Sequence, residues 1–182
     1  MKKLKEKKGF TLVELLVTLG IMCIVMTAIF TFFIFNYNTY HKAEDRIEAQ
    51  YNVQKVMGEF IDSIIAAEKI IAITDRQGNT INFFNNDFYK IGQIRFKIGD
   101  KYYIFKHEDD EIRRGYTTSQ TDEPASYMTI ASSIAAFEIT PVPYDVGTTY
   151  NDCKGLQIRF TGKKNNQFVE VKNKIFLRNW AE

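Results

Sequence analysis

One carboxylate stands alone in an apolar field. Glu14 is the only charged residue in the 26 positions from Phe10 to Phe35, which are otherwise Phe, Leu, Ile, Val, Met, Ala and small or hydroxyl residues. Five lysines (Lys2, Lys3, Lys5, Lys7 and Lys8) precede that run, and Gly9 stands at the junction. A carboxylate inside a bilayer costs up to about 3 kcal/mol at the centre and less near an end. Such an acid calls for a cationic partner, so Glu14 is a candidate functional residue whose chemistry is charge pairing. Elsewhere the residues that do chemistry are sparse. His41 and His107 are too far apart in sequence for a metal-binding pair on one helix turn. No nucleophile elbow, Gly-rich phosphate loop or triad pattern occurs, so no catalysis, metal or cofactor is expected. His107-Glu108-Asp109-Asp110-Glu111 is acidic but lacks the alternating oxygens and glycine of an EF-hand. It reads as a solvated loop rather than a calcium site.

The elements that must position Glu14 follow from length and charge. The chain has 182 residues, enough for one domain or two. Its formal net charge is +2, with +4 carried by the first nine residues, which leaves the remainder at −2. A basic leader on a slightly acidic body does not describe a nucleic-acid module. Aromatics at 14% argue against disorder, and two Cys and two His exclude a disulfide framework and a zinc finger. The apolar run spans roughly 39 Å as a helix, more than the ~30 Å hydrocarbon core of a bilayer. Lysines before it and few charges just after it place the N-terminus in the cytoplasm and the rest outside. A cleaved secretory signal would be shorter, and Phe30, Phe32, Phe33 and Phe35 crowd the place where its cleavage site would lie. A plain signal anchor fits the length but leaves Glu14 unexplained.

The stretch Lys7-Lys8-Gly9-Phe10-Thr11-Leu12-Val13-Glu14-Leu15-Leu16-Val17 resembles the class III signal of type IV prepilins and pseudopilins. The resemblance implies cleavage by a prepilin peptidase between Gly9 and Phe10, followed by N-methylation of Phe10. It also implies that Glu14 pairs with the N-terminal amine of a neighbouring subunit during assembly. The chemistry is reasonable at each residue. Gly9 has no side chain to obstruct a protease. The lysines hold the junction at an anionic membrane face, at about 1 kcal/mol each. Two charges that are each costly in lipid become a pair when subunits meet. The implied fold is α+β: a long N-terminal α-helical stem, as in the pilin lollipop, with a mainly antiparallel β globular head.

The divisions expected are a leader at 1–9, a membrane and filament-core half of the stem at 10–35, an amphipathic half at 36–68 and a head at 69–182. In the second half, Ile47, Tyr51, Val53, Met57, Phe60, Ile61, Ile64 and Ile65 recur mostly at intervals of three and four. They predict one near-continuous helix from about residue 10 to 67, with no Pro before Pro124. In the head, strands are expected at Lys69–Thr74, 80–84, Gln93–Ile98, 101–106, Met128–Ala131, 136–140, 156–161 and 168–177. Turns are expected at 75–79, 99–100 and 162–166, and a polar loop at 109–123. The closing strands resemble those of J-type pseudopilins and of PilW-type or competence minor pilins.

The partners implied by the resemblance are prepilin peptidase, other pilin or pseudopilin subunits, an inner-membrane assembly platform and, before assembly, lipid. The implied localisation is a single-pass membrane protein that then enters a pilus or pseudopilus. Cys23 falls in the span and Cys153 in the head, so they cannot pair within one chain, and Cys153 reads as free. Lys163, Lys164, Lys172, Lys174 and Arg178 cluster near the last hairpin and could touch phosphates. They read instead as a solvent-facing edge that discourages strand pairing, so DNA is not an expected partner.

Overall fold

The computed structural model describes residues 11–81, 87–142 and 155–177. The chain has two compact units, Met1–Ala43 and Glu44–Glu182. One helix, α1 (Leu12–Ile65), is 54 residues long and contributes to both.

In the first unit every described residue of α1 is exposed, although most are apolar. The helix is long and apolar enough to cross a membrane, with a mean hydropathy of 2.5 over its most apolar window. Several of its polar side chains are turned back on the backbone. Thr27 Oγ1 donates to the Cys23 carbonyl, Thr31 to Thr27 and Thr39 to Phe35, each at 2.8 Å. Asn36 Nδ2 donates to the Phe32 carbonyl at 2.7 Å. These bonds satisfy hydroxyl and amide groups that hydrocarbon could not.

In the second unit α1 has one buried stripe: Ala49, Val53, Val56, Met57, Phe60 and Ile64. This corrects the stripe expected from sequence. Ile47 and Tyr51 are 67% and 64% exposed, and small Ala49 takes the inward place. Ile47 and Tyr51 keep helical spacing, but they lie on a different face of the helix.

The strands form two antiparallel sheets, giving the expected α+β class. The first has the order β1-β3-β4-β5-β6, from β1 (Lys69–Thr74), β3 (Gln93–Ile98), β4 (Lys101–Glu108), β5 (Glu111–Thr117) and β6 (Met128–Ala131). The second has the order β2-β7-β8-β9, from β2 (Tyr89–Lys90), β7 (Ile134–Val142), β8 (Gly155–Lys164) and β9 (Gln167–Phe176). The chain changes sheets between β6 and β7 through Ser132 and Ser133, the latter with a φ of 62°.

Phe60 joins the two sheets to the helix. Its ring meets Phe105 and Phe96 of the first sheet edge-on at centroid distances of 5.0 and 6.3 Å. It meets Phe137 and Phe160 of the second at 5.4 and 6.0 Å. Offset and edge-to-face aromatic pairs add stabilisation beyond simple burial. Polar ties surround this centre: Arg114 Nη1 to Glu59 at 2.7 Å, Lys164 Nζ to Glu48 at 2.7 Å, and Asn165 Nδ2 to Asp45 at 2.9 Å.

Three other expectations need correction. The polar segment from 109 to 123 is not one loop, because β5 lies inside it. Asp109 and Asp110, with φ of 52° and 57°, make a two-residue turn joining β4 to β5. Left-handed values at both positions mark the type I′ geometry that suits hairpin twist. The charges of β5 are paired: Arg113 with Glu111 at 2.9 Å and with Glu108 at 3.3 Å, and Arg114 with Glu59. The last hairpin turns at Asn165 and Asn166, not at Gly162, which sits within β8. Of the strand expected at 80–84, Thr80 makes an isolated bridge to Thr74, and 82–86 lie outside the described residues.

Candidate assembly site

The first turn of α1 contains a reciprocal cap. Thr11 immediately precedes the helix, and its carbonyl accepts the first helical bond, from Leu15 N at 3.2 Å. Thr11 N and Thr11 Oγ1 both donate to Glu14 Oε2 at 2.9 Å. Glu14 N donates in return to Thr11 Oγ1 at 3.3 Å. This is the capping box, in which a hydroxyl at the cap and a glutamate three residues on satisfy each other's free N–H groups. A carboxylate at this end also complements the positive end of the helix dipole. Glu14 stands out in the sequence, whereas Thr11 is not among the residues expected to act with it. The spacing Thr-x-x-Glu ahead of an apolar run is the signal that points to it.

The arrangement can hold a carboxylate at the start of an apolar helix. Thr11 occupies Oε2 with two donors, and no bond to Oε1 is present among the described residues. A carboxylate has about four lone-pair sites, so it can still accept from a cation. Gly9 and Phe10, the expected cleavage and methylation positions, lie outside the described residues, as do Cys153 and Arg178. Cys23 is a free, exposed cysteine on the helix.

The other sequence candidates are not brought to this site. His107 is buried in the head, 3% exposed, and Nε2 donates to the Ile134 carbonyl at 2.7 Å. Its acidic neighbours Asp109 and Asp110 form the β4–β5 turn, and no group of His, Cys, Asp and Glu suited to a metal ion occurs among the described residues. The basic hairpin is partly neutralised. Lys164 pairs with Glu48, which raises its pKa above the usual lysine range, and Lys172 pairs with Glu170 at 2.8 Å. Lys163 and Lys174 lie over the rings of Phe168 and Phe176. Lys164 and Lys172 are thus ion-paired, whereas Lys163 and Lys174 keep their charge over an aromatic face.

Residues 4–30 match the family model of the prokaryotic N-terminal methylation motif. The match covers most of the lysine leader, the Gly9-Phe10 junction, Thr11 and Glu14, and the first part of the apolar helix. It spans 27 of the 182 residues, all before the head. No curated protein matches the chain. The motif, with a long apolar N-terminal helix and antiparallel sheets after it, supports a type IV pilin-like protein. It implies processing by prepilin peptidase and assembly with other pilin subunits. It also supports anchoring in a membrane before incorporation into a filament, and indicates a structural protein.

Proposed function

We propose that the chain is a minor pilin or minor pseudopilin, processed between Gly9 and Phe10, N-methylated on Phe10, and assembled through α1. The observation that carries this reading is the methylation motif leading directly into a helix whose first half is apolar and wholly exposed. Apolar surface of that extent needs lipid or neighbouring helices around it. The lysine leader keeps the N-terminus cytoplasmic and the head outside. An inner-membrane platform then receives the processed subunit.

Glu14 is the assembly residue in this reading. Before assembly Thr11 satisfies one of its oxygens, which lowers the cost of carrying a carboxylate into the apolar segment. On assembly the methylated amine of a neighbouring subunit supplies the opposite charge. The hydroxyl of Thr11 thus holds the carboxylate at the helix start until the amine arrives.

Mass spectrometry of filaments sheared from cells tests the processing. The expected peptide begins at Phe10, carries one extra methyl group, and is far less abundant than the principal subunit. A chain found only in membranes, and only with residues 1–9 retained, would sink the proposal. Glu14→Ala tests the assembly step separately: membrane insertion should persist while filament incorporation falls by about tenfold or more, as for loss of a desolvated charge pair. Unchanged incorporation would remove Glu14 from the mechanism.

A further inference from the structure

The head carries a cation for which no neutralising partner is found among the described residues. Arg76 is the second residue of the turn at 75–79 and is exposed. Its Nη2 lies 3.1 Å from His107 Nδ1 and 3.2 Å from Nε2. Because His107 Nε2 donates to the Ile134 carbonyl, Nδ1 is the acceptor for Arg76. A neutral imidazole supplies one lone pair, whereas a guanidinium has five N–H donors and a full charge. No carboxylate pairs with Arg76 among the described residues. Asp75 beside it is committed to its own turn, accepting from Gln77 N and Asn79 N at 2.8 Å and from Asn79 Nδ2 at 3.0 Å.

The position of Arg76 is built in. A Cβ on Gly92 would lie 2.5 Å from the Asp75 carbonyl oxygen and 2.6 Å from Arg76 Cα, so the turn rests directly on that glycine. Gly92 N donates to the Thr74 carbonyl at 2.8 Å, and His107 N donates to the Gly92 carbonyl at 2.7 Å. A cleft of about 290 Å³ opens beside Arg76, lined also by Asp75, Gln77, Lys90, Ile91, His107 and Phe137. Lys90 is exposed and has no ion-pair partner among the described residues. A second cleft, of about 340 Å³, lies along Arg76 on the Lys106 and Glu108 side, but there Lys106 is tied to Glu108 at 3.2 Å. The excess positive charge therefore belongs to the first cleft, where Arg76 and Lys90 face the single carboxylate of Asp75.

We propose that this cleft binds a small oxyanion, a phosphate or carboxylate group, with Arg76 as its anchor and Lys90 as the second cation. A guanidinium takes such groups through two parallel bonds. An anion here would give the guanidinium a charged partner, which its contact with the neutral His107 ring does not. The site lies within the head and is independent of the assembly reading.

Binding is coupled to His107. The charges around that ring are Arg76 and Asp75 from the turn at 75–79 and Asp110 from the β4–β5 turn, with Lys106 and Glu108 flanking it on β4 and Lys90 across the cleft. Burial is the larger cause holding His107 below the usual histidine range, and Arg76 adds to it. An anion on Arg76 cancels that repulsion, so anion and proton favour each other, and the coupling is reciprocal.

The test uses the full chain in detergent micelles, with histidine-ring NMR signals assigned through a His41→Gln variant. Sulfate probes the tetrahedral class, since its charge does not change between about pH 7.5 and 5.5, and acetate probes the carboxylate class. The expected result is a saturable shift of the His107 signals with at least one of them, tighter at the lower pH. Arg76→Gln should abolish it, and Lys90→Gln should weaken it by about tenfold, the scale of one lost charged hydrogen bond. Lys90 is exposed on a short strand, so that variant carries the test even if Arg76→Gln fails to fold. A linear drift matched by chloride at equal ionic strength would overturn the proposal. So would saturable binding of unchanged affinity in both variants.

Discussion

The two halves of α1 share a backbone and follow opposite rules. Through residue 43 the helix is largely apolar and every described residue is exposed. From residue 44 half of its residues are polar, yet six side chains are buried and three acids are tied to the sheets. The first half has no single apolar face to aim, because its surroundings are to be uniform, lipid or other helices. The second half has one face to bury, and its charges pair or point outward. Hydrophobicity alone therefore does not locate the folded core: the most apolar stretch of this chain lies outside it. A change in one half should leave the other standing.

The largest test of that separation is Phe60→Ala. The ring touches four phenylalanines from two sheets, and loss of a buried Phe costs about 3–5 kcal/mol. Hydrogen exchange on the full chain in detergent should show faster exchange across the strands and residues 49–64. Residues 12–40 should keep their protection. Loss of protection along the whole of α1 would mean that the halves are not independent.

A smaller effect is expected at Gly162. A Cβ there would lie 2.5 Å from Val53 Cγ2 and 2.9 Å from the Ala49 carbonyl oxygen, so β8 meets the helix across a space only glycine leaves open. The carbonyl is backbone and cannot rotate away, so Gly162→Ala should destabilise the head by about 1–3 kcal/mol, the usual cost of overpacking. A thermal melt followed by near-ultraviolet circular dichroism reports it. A Cβ added to Gly20, in the first half, would meet nothing within 4 Å, so Gly20→Ala should leave the same melt unchanged. A Gly162→Ala midpoint equal to that of the parent chain would contradict the close contact.

How much of this is legible in the sequence also divides by half. The methylation motif over residues 4–30 and the apolar run depend on local order, and both are legible. So are β1 and β3, short runs rich in isoleucine that each end at a clear turn. Expectation fails where a residue's role is set by something distant. Gly162 looks like a turn glycine until a helix is laid across it. Ile47 and Tyr51 have helical spacing, but which of two stripes is buried depends on where the sheets pack. Arg113 and Arg114 make 109–123 look like loop, and only their pairing with Glu111, Glu108 and Glu59 shows a strand. Thr11 is the reverse case: its cap is local, and it is hidden only by the more conspicuous acid beside it.

The smallest effect is expected from pH, and it belongs to the head alone. In the folded chain His107 titrates below the usual histidine value, first because it is buried and further because of Arg76; the Ile134 carbonyl and Asp110 oppose the shift. In the unfolded chain it takes up its proton near the ordinary value of about 6.5. Below that pH the unfolded chain binds a proton that the folded chain resists, so stability falls as pH drops, and above it His107 adds no pH dependence. Because the opposing groups limit the shift, the midpoint of the head's melt should fall only modestly between about pH 7.5 and 5.5, less than for either destabilising substitution above. His107→Gln retains a donor for the Ile134 carbonyl but cannot ionise, so its midpoint should change less over the same interval. An equal fall in both chains would move the sensitivity to the carboxylates and leave His107 as a structural link between β4 and β7.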